Sequence, residues 1–314
     1  MRSRTAIIFL VLTLLALALS VAGIFIGSES LSLGDVWASL TGGQGVDDVT
    51  RSIVLKYRLP KIAVGILAGA ALSASGLQMQ TLFRNPLAGP FVLGISSGAS
   101  LGVALFLLGM PLLGLSAVGD VVRNIGQVGA AWIGSALILL GIMAVSARRK
   151  DIMAILILGM MFGSAAGAIV EILQYLSPEG ALKSYVIWTM GSLGGVSTGQ
   201  LAIITPVCII GLVMSVLLIK PLNMLLLGEN YSRTMGLNVK ASRAMIFVST
   251  TLLAGTITAF CGPIGFIGIA VPHVARMIFS EADHRVLMPA SMLIGVVMML
   301  ACDIIAQMPG SDMV

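Results

Sequence analysis

Charge is what this sequence has least of. Only 10% of its 314 residues are Asp, Glu, Lys or Arg, against about 25% in soluble domains, and no polar stretch is long enough to build a separate soluble domain. Histidine occurs twice, at His273 and His284, both near an expected cytoplasmic end. The three cysteines, Cys208, Cys261 and Cys302, stand in apolar context without metal-ligand spacing. They read as small helix-packing residues, and no metal site is expected. The chain also lacks any G-x-x-x-x-G-K-[ST] sequence, which excludes a phosphate-binding loop of that kind. Thr41-Gly42-Gly43-Gln44-Gly45 resembles an ATPase signature loop in letters alone.

What is present is hydrocarbon. Hydrophobic residues make up 58% of the chain and mean hydropathy is +1.06. Backbone groups in a bilayer must be satisfied within helices or a closed barrel, and runs near 20 residues without strict alternation select helices. The fold class is therefore all-α, a polytopic helical bundle forming one transmembrane domain over residues 1–314. Arg2 and Arg4 precede an apolar run from Ala6 to Ile26 that is longer than a signal-peptide core, so this run reads as an uncleaved first span.

Nine spans are expected, at 6–27, 61–82, 91–108, 127–147, 152–176, 186–219, 242–260, 264–279 and 287–307. The sixth is interrupted at WTMGSLGGVSTG and begins in earnest near Gln200. Lysine and arginine favour cytoplasmic loops. With the N-terminus inside, Arg2, Arg4, Arg84, Arg148, Arg149, Lys150, Lys220, Arg233, Lys240, Arg243, Arg276 and Arg285 are cytoplasmic, against Arg51, Lys56, Arg58, Lys61, Arg123 and Lys183 outside. The excess supports a cytoplasmic N-terminus.

The segment FRNPLAGPFVLGISSGASLG, residues 83–102, combines a turn with a glycine-faced helix. Pro86 and Pro90 stop helix propagation, and Gly94, Gly98 and Gly102 at four-residue spacing let another helix approach closely. The pattern recurs at Gly65 and Gly69 and at Gly159, Gly163 and Gly167. These glycines are candidates for helix packing or for lining a pathway. Two overlapping G-x-S-x-G matches around Ser96 and Ser100 lack a preceding strand, so they are not a nucleophile elbow. Glu171 near the end of the fifth span either faces a pathway or sits at the interface, and Asp303 reads as a structural partner of a neighbouring helix.

The interior loop KPLNMLLLGENYSRTMGLNVKASR, residues 220–243, is amphipathic and rich in basic residues. Gly228 and Gly236 separate two short helical pieces that could meet a cytoplasmic partner or lie on lipid headgroups. An ATP-independent secondary carrier or channel remains an alternative at this point, and an intramembrane hydrolase is a third.

Five blocks in order make the sequence recognisable: RLPK at 58–61, SGLQMQTLFRNPLAGPFVLGISSGASLG at 75–102, WTMGSLGG at 188–195, LNMLLLGENYSRTMGLNV at 222–239, and GPIGFIGIAVPHVARMIFSEADHRVLMPAS at 262–291. Together they resemble the permease family of ABC importers for ferric siderophores, haem and vitamin B12. The resemblance implies the type II ABC importer architecture with ten spans per subunit in the bacterial cytoplasmic (inner) membrane. It also implies a second permease subunit, as a homodimer partner or a paired different permease, two cytoplasmic ATPase subunits, a substrate-binding protein outside, a lipid environment and no nucleic acid. The permease itself would be non-catalytic and carry no cofactor, ATP and Mg being used by the ATPase. By the same resemblance Leu227, Gly228, Glu229, Arg233, Met235, Gly236 and Leu237 form ATPase-coupling helices, and Arg58 and Lys61 dock the binding protein. The substrate would be an iron complex first, or a corrinoid. The sequence ends at PGSDMV, before the family's tenth helix, so nine spans of ten are expected. Gln307 stands where the family often has arginine.

Overall fold

The computed structural model describes residues 2–27, 31–43, 46–112, 120–148 and 152–307, and every regular element among them is helical. In chain order these are α1 (Arg2–Phe25), α2 (Leu33–Thr41), α3 (Asp48–Phe83), α4 (Ile95–Gly109), α5 (Asp120–Arg148), α6 (Ile152–Leu176), α7 (Glu179–Thr189), α8 (Thr198–Leu217), α9 (Ile219–Leu226), α10 (Glu229–Thr234), α11 (Val239–Cys261), α12 (Ile267–Phe279) and α13 (His284–Gln307).

Seven of them, α1, α3, α5, α6, α8, α11 and α13, are long and apolar enough to cross a membrane. The expected third and eighth spans are α4, whose helix runs on without a break into Met110–Leu112 at the edge of the described residues, and α12, which at 13 residues is short of the roughly 20 that a straight crossing needs. Their late starts have local causes. Pro90 opens a 3-10 turn over Pro90–Leu93, and Gly94 then takes a left-handed conformation before α4 begins. Before α12, Gly262 and Phe266 both have positive φ. Arg149, Lys150, Gln44 and Gly45 lie outside the described residues, as do the side chains of Arg2, Arg123 and Arg148.

Sequence punctuation sets the other ends. Ser197 and Gln200 close a capping box at the start of α8, two orphan helix groups satisfied at once. The second span extends well beyond the predicted 61–82, because the chain enters α3 at Asp48 and relaxes into a π-helical stretch, Ile53–Arg58, ahead of Pro60. Proline cannot donate the backbone bond that an unbroken ladder would need there. At the far end Arg84 turns left-handed, its N–H and that of Asn85 closing on Thr81 and Gln80 carbonyls.

α3 is the axis of the molecule. From Ala68 to Phe83 every residue is buried, with α8, α11, α12 and α13 packed around it. The contacts are backbone on backbone: a methyl group on Gly69 would stand 2.6 Å from the Gly295 carbonyl carbon of α13, and one on Gly76 would fall on the Gly268 carbonyl of α12. Lipid tails leave little hydrophobic gain for helix association, so dispersion at this range and interhelical hydrogen bonds carry it. Gln78 supplies the bonds. Its Nε2 donates to Ser215 Oγ of α8 (2.7 Å) and Ser249 Oγ of α11 (3.1 Å), and its Oε1 accepts from Thr250 Oγ1 (3.0 Å). Such bonds contribute about 0.6 kcal/mol each in membranes, so they fix register more than strength.

A second packing unit joins α4, α5 and α6. A methyl on Gly98 would meet the Gly134 carbonyl at 2.6 Å, one on Gly94 the Gly159 carbonyl at 2.9 Å, and one on Gly102 would fall on the Ala130 carbonyl. Gly159 lies against Val92 and Leu93, and Gly163 against Ser97 Oγ, whereas nothing stands within 4 Å of a methyl on Gly167. The glycine face of α4 therefore serves packing, and Gly167 is no part of that contact. Gly102→Ala is expected to lower the stability of the detergent-solubilised protein by about 1–3 kcal/mol, and Gly167→Ala by less than about 0.5 kcal/mol. Thermal unfolding of the two variants side by side checks the contrast; equal melting temperatures would show that α4 and α5 yield without cost.

Candidate coupling surface

The surface formed by α9 and α10 owes its shape to two glycines. Gly228 has φ 99 and ψ 153, and Gly236 has φ 84, backbone that side chains rarely tolerate. The first lets the chain reverse after α9 and start α10, and the second lets it leave α10 toward α11. The reversal is pinned from inside by Ser232, whose buried Oγ lies 2.7 Å from both the Met224 and Gly228 carbonyls. Gly236 and Leu237 donate back to the Arg233 and Ser232 carbonyls, both at 3.0 Å, which closes the end of α10. Leu237 then packs half-buried on the main core.

With the inner side pinned, the outer side is left apolar and charged. Leu227, Tyr231 and Met235 are 52–59% exposed, an apolar patch beside Glu229 and Arg233. Glu229 pairs with Arg233 one turn on at 3.4 Å, and with the buried guanidinium of Arg243 on α11. These two pairs differ in kind. The Arg233 pair is exposed and contributes little, whereas the Arg243 pair anchors α10 to a transmembrane helix. Behind α10 a cleft of about 750 Å³ is lined by Arg84, Ile152, Leu225, Asn230 and Tyr231 among others.

The same end of the bundle gathers other groups that sequence reasoning treated only as loop charges or passed over. Arg276 donates to Gln80 Oε1 at 2.5 Å. Asn223 of α9 reaches Asp283 and His284 at the start of α13, and His284 Nε2 stands 2.7 Å from Thr81 Oγ1 of α3. Asp283 is held below the usual carboxylate range, first by the Arg285 N–H and then by the Asn223 amide. No sequence motif flagged Asn223, because its partners lie 60 residues away in the chain.

Arg58 and Lys61 sit at the opposite end of α3. Arg58 is 8% exposed and donates to the Ile24 and Phe25 carbonyls, orphan acceptors at the end of α1. Lys61 pairs with Asp303 of α13 at 3.0 Å, the interhelical partnership expected for that carboxylate, and Gln307 Nε2 donates to Asp303 Oδ2 at 2.7 Å. Glu171 is exposed on α6 and is not brought to either cluster. Two ends of different character result. Arg84, Arg233, Arg243 and Arg276 share one, and Arg58 and Lys61 share the other.

Because Arg243 is buried and Arg233 is not, their pairs with Glu229 respond differently to mutation. Glu229→Gln weakens the hold on a buried guanidinium and is expected to lower stability by about 2 kcal/mol. Arg233→Ala is expected to lower it by about 0.5 kcal/mol or less. Chemical or thermal unfolding of the two variants measures this, and an equal effect would mean that the Arg243 pair does not anchor α10.

Comparison with known proteins accords with this geometry. The model of the FecCD transport family matches residues 10–313. The haemin transport system permease HmuU of Yersinia pestis is 36% identical over 304 residues, covering 95% of this chain and 86% of HmuU. The vitamin B12 import system permease BtuC of Klebsiella pneumoniae is 35% identical over 284 residues, covering 89% of this chain and 81% of that protein. A solved structure of an inward-facing ABC transporter assigned to the metal-chelate type superposes with a TM-score of 0.84 at 28% identity, covering 98% of this chain and 92% of the other. The chain belongs to the FecCD transport family, and is a permease of the ABC type.

Proposed function

We propose that this chain is the membrane subunit of an ATP-driven importer that carries an iron complex, such as a ferric siderophore or haem, or a corrinoid across the bacterial inner membrane. The observation that carries the reading is the α9–α10 surface: a preformed apolar and charged projection, anchored by Glu229 and Arg243 to a transmembrane helix. Leu227, Gly228, Glu229, Arg233, Met235, Gly236 and Leu237 form the element that seats a cytoplasmic ATPase. That orientation puts Arg84 and Arg276 in the cytoplasm with the N-terminus, and α4 and α12 complete nine spans.

Transport proceeds by alternating access in a homodimer. ATP binding to two ATPases and docking of a substrate-loaded binding protein each favour one arrangement through their different affinity for the two. No bond in the substrate changes. The known cargoes of HmuU and BtuC, haemin and vitamin B12 by their names, mark the substrate class. On the outer face Arg58 and Lys61 are the docking residues we assign, acting from internal bonds to α1 and Asp303. Arg58 is 8% exposed and Lys61 is already paired, so a docking protein would have to exchange these internal bonds for its own, which costs more than forming an exposed ion pair.

The test is uptake by proteoliposomes holding the chain with its cognate ATPase and binding protein, given haemin, a ferric hydroxamate or cobalamin with ATP or ADP. Uptake of one of these with ATP alone is expected. Uptake that persists without the ATPase would establish a secondary carrier instead. In the same vesicles Gly228→Pro, whose φ of about −65° cannot match the observed 99°, is expected to leave ATP hydrolysis and abolish uptake. Normal uptake by that variant would remove this loop from the coupling path.

A further inference from the structure

The side-chain hydrogen bonds of Asn223 tie α9 to the start of α13. Its Nδ2 donates to Asp283 Oδ1 at 2.6 Å, and its Oδ1 accepts from the His284 backbone N–H at 2.8 Å. The amide orientation follows from these partners, since a flip would aim NH2 at an N–H donor and oxygen at a carboxylate. His284 Nδ1, 2.7 Å from the same Oδ1, must therefore carry hydrogen and donate. On the other side of the ring Nε2 meets Thr81 Oγ1 at 2.7 Å, in a buried site. One side chain of α9 thus holds the first turn of α13 and, through the imidazole, α3.

We propose that Asn223 is a positioning residue for transport: it makes the α9–α10 surface move as one body with the α3–α13 pair, with His284 and Thr81 as the links. The inference rests on the importer reading above. Three observations carry it. First, displacing α9 without α13 would take from the buried His284 imidazole its Nδ1 partner, which is costly. Second, α3 and α13 cannot slide independently, because Gly69 and Gly295 meet backbone to backbone. Third, both helices run unbroken to the opposite end, where Lys61 and Asp303 join them again, about 30 Å away at 1.5 Å per residue. Motion imposed on α9 from one side of the membrane is in this way delivered to the other.

Exchange of the two side chains tests this. At neutral pH Asp283 is ionised, its carboxyl being held below the usual range, so Asn223→Asp sets two carboxylates face to face. Combined with Asp283→Asn, the amide and the carboxylate trade places and the bond re-forms, with His284 still donating to position 223. The complex of the full chain, its ATPase and its binding protein is purified as wild type, N223D, D283N and the double exchange. Co-purification of the ATPase, ATP hydrolysis, and uptake of haemin, a ferric hydroxamate or cobalamin per ATP are then measured in vesicles.

N223D is expected to keep its ATPase and its hydrolysis while uptake per ATP falls about fivefold or more, the range of coupling effects between sites. The double exchange is expected to return uptake per ATP to within about twofold of wild type. Should N223D fail to assemble, Asn223→Ala, which removes the bonds without opposing two charges, carries the same comparison. Unchanged uptake per ATP in the single variant, a proportional loss of assembly, hydrolysis and uptake, or an exchange that restores nothing would each overturn the proposal. A wild-type complex without ATP-dependent uptake would overturn the importer reading, and this inference with it.

Discussion

Everything in this molecule depends on how closely other backbones can approach α3. In water a helix face is buried because apolar surface leaves solvent, but in lipid that gain is nearly absent. Association then rests on dispersion, which needs atoms at van der Waals distance over a long line, and on polar groups that find partners only between helices. Gly65, Gly69 and Gly76 provide the first along one side of α3, and Gln78 provides the second. The polar side chain lies two residues beyond the closest glycine contact, where the register is already fixed. Its three bonds therefore form without searching for geometry.

A tight axis has a consequence for the surface elements. α9 and α10 are too short to be stable alone, since isolated helices of this length are marginal in water. They persist because each is tied to a long helix: α10 through Glu229 and Arg243, α9 through Asn223, Asp283 and His284. Charge and amide chemistry do at the membrane boundary what glycine contacts do inside it. The exposed side chains of Leu227, Tyr231 and Met235 stand on that support, which is where the proposed ATPase contact would fall.

How much of this could be read from the chain depends on the range of each interaction. Hydropathy located the seven long apolar helices because it is a property of single segments, and Gly228 and Gly236 were legible as breaks because few residues accept positive φ. The proline turn at 83–90 was likewise local. The late starts of α4 and α12 were not, since hydropathy counts Phe91 and Ile264 as membrane residues although the backbone there is turning. The π-helical stretches at Ile53–Arg58, Leu105–Gly109 and Thr251–Gly255 have ordinary apolar composition around them and leave no mark on a periodicity. Pairings such as Asn223 with Asp283, or Lys61 with Asp303, join residues far apart in sequence. Lys61 was readable as a basic group at a boundary, but its partner was settled only by the fold.

The distribution of packing also limits where an alternating-access transition can take place. In α3 83% of the best apolar window is buried and in α11 67%, whereas in α6 and α5 the share is 17%, and in α1 6%. Cores this dense do not deform continuously, so a change between two arrangements concentrates where few contacts must be exchanged. α3 with α13 is therefore best treated as a rigid body. α6 keeps one face on the bundle along its length, through Gly159 and Gly163 near α4 and then through Val170 and Leu173 in the cluster with Val103 and Leu107, while Glu171 on its other face is exposed. A change between the inward and outward arrangements proposed above is consequently to be sought where α1, α5 and α6 present exposed faces, and not in any rearrangement around Gln78.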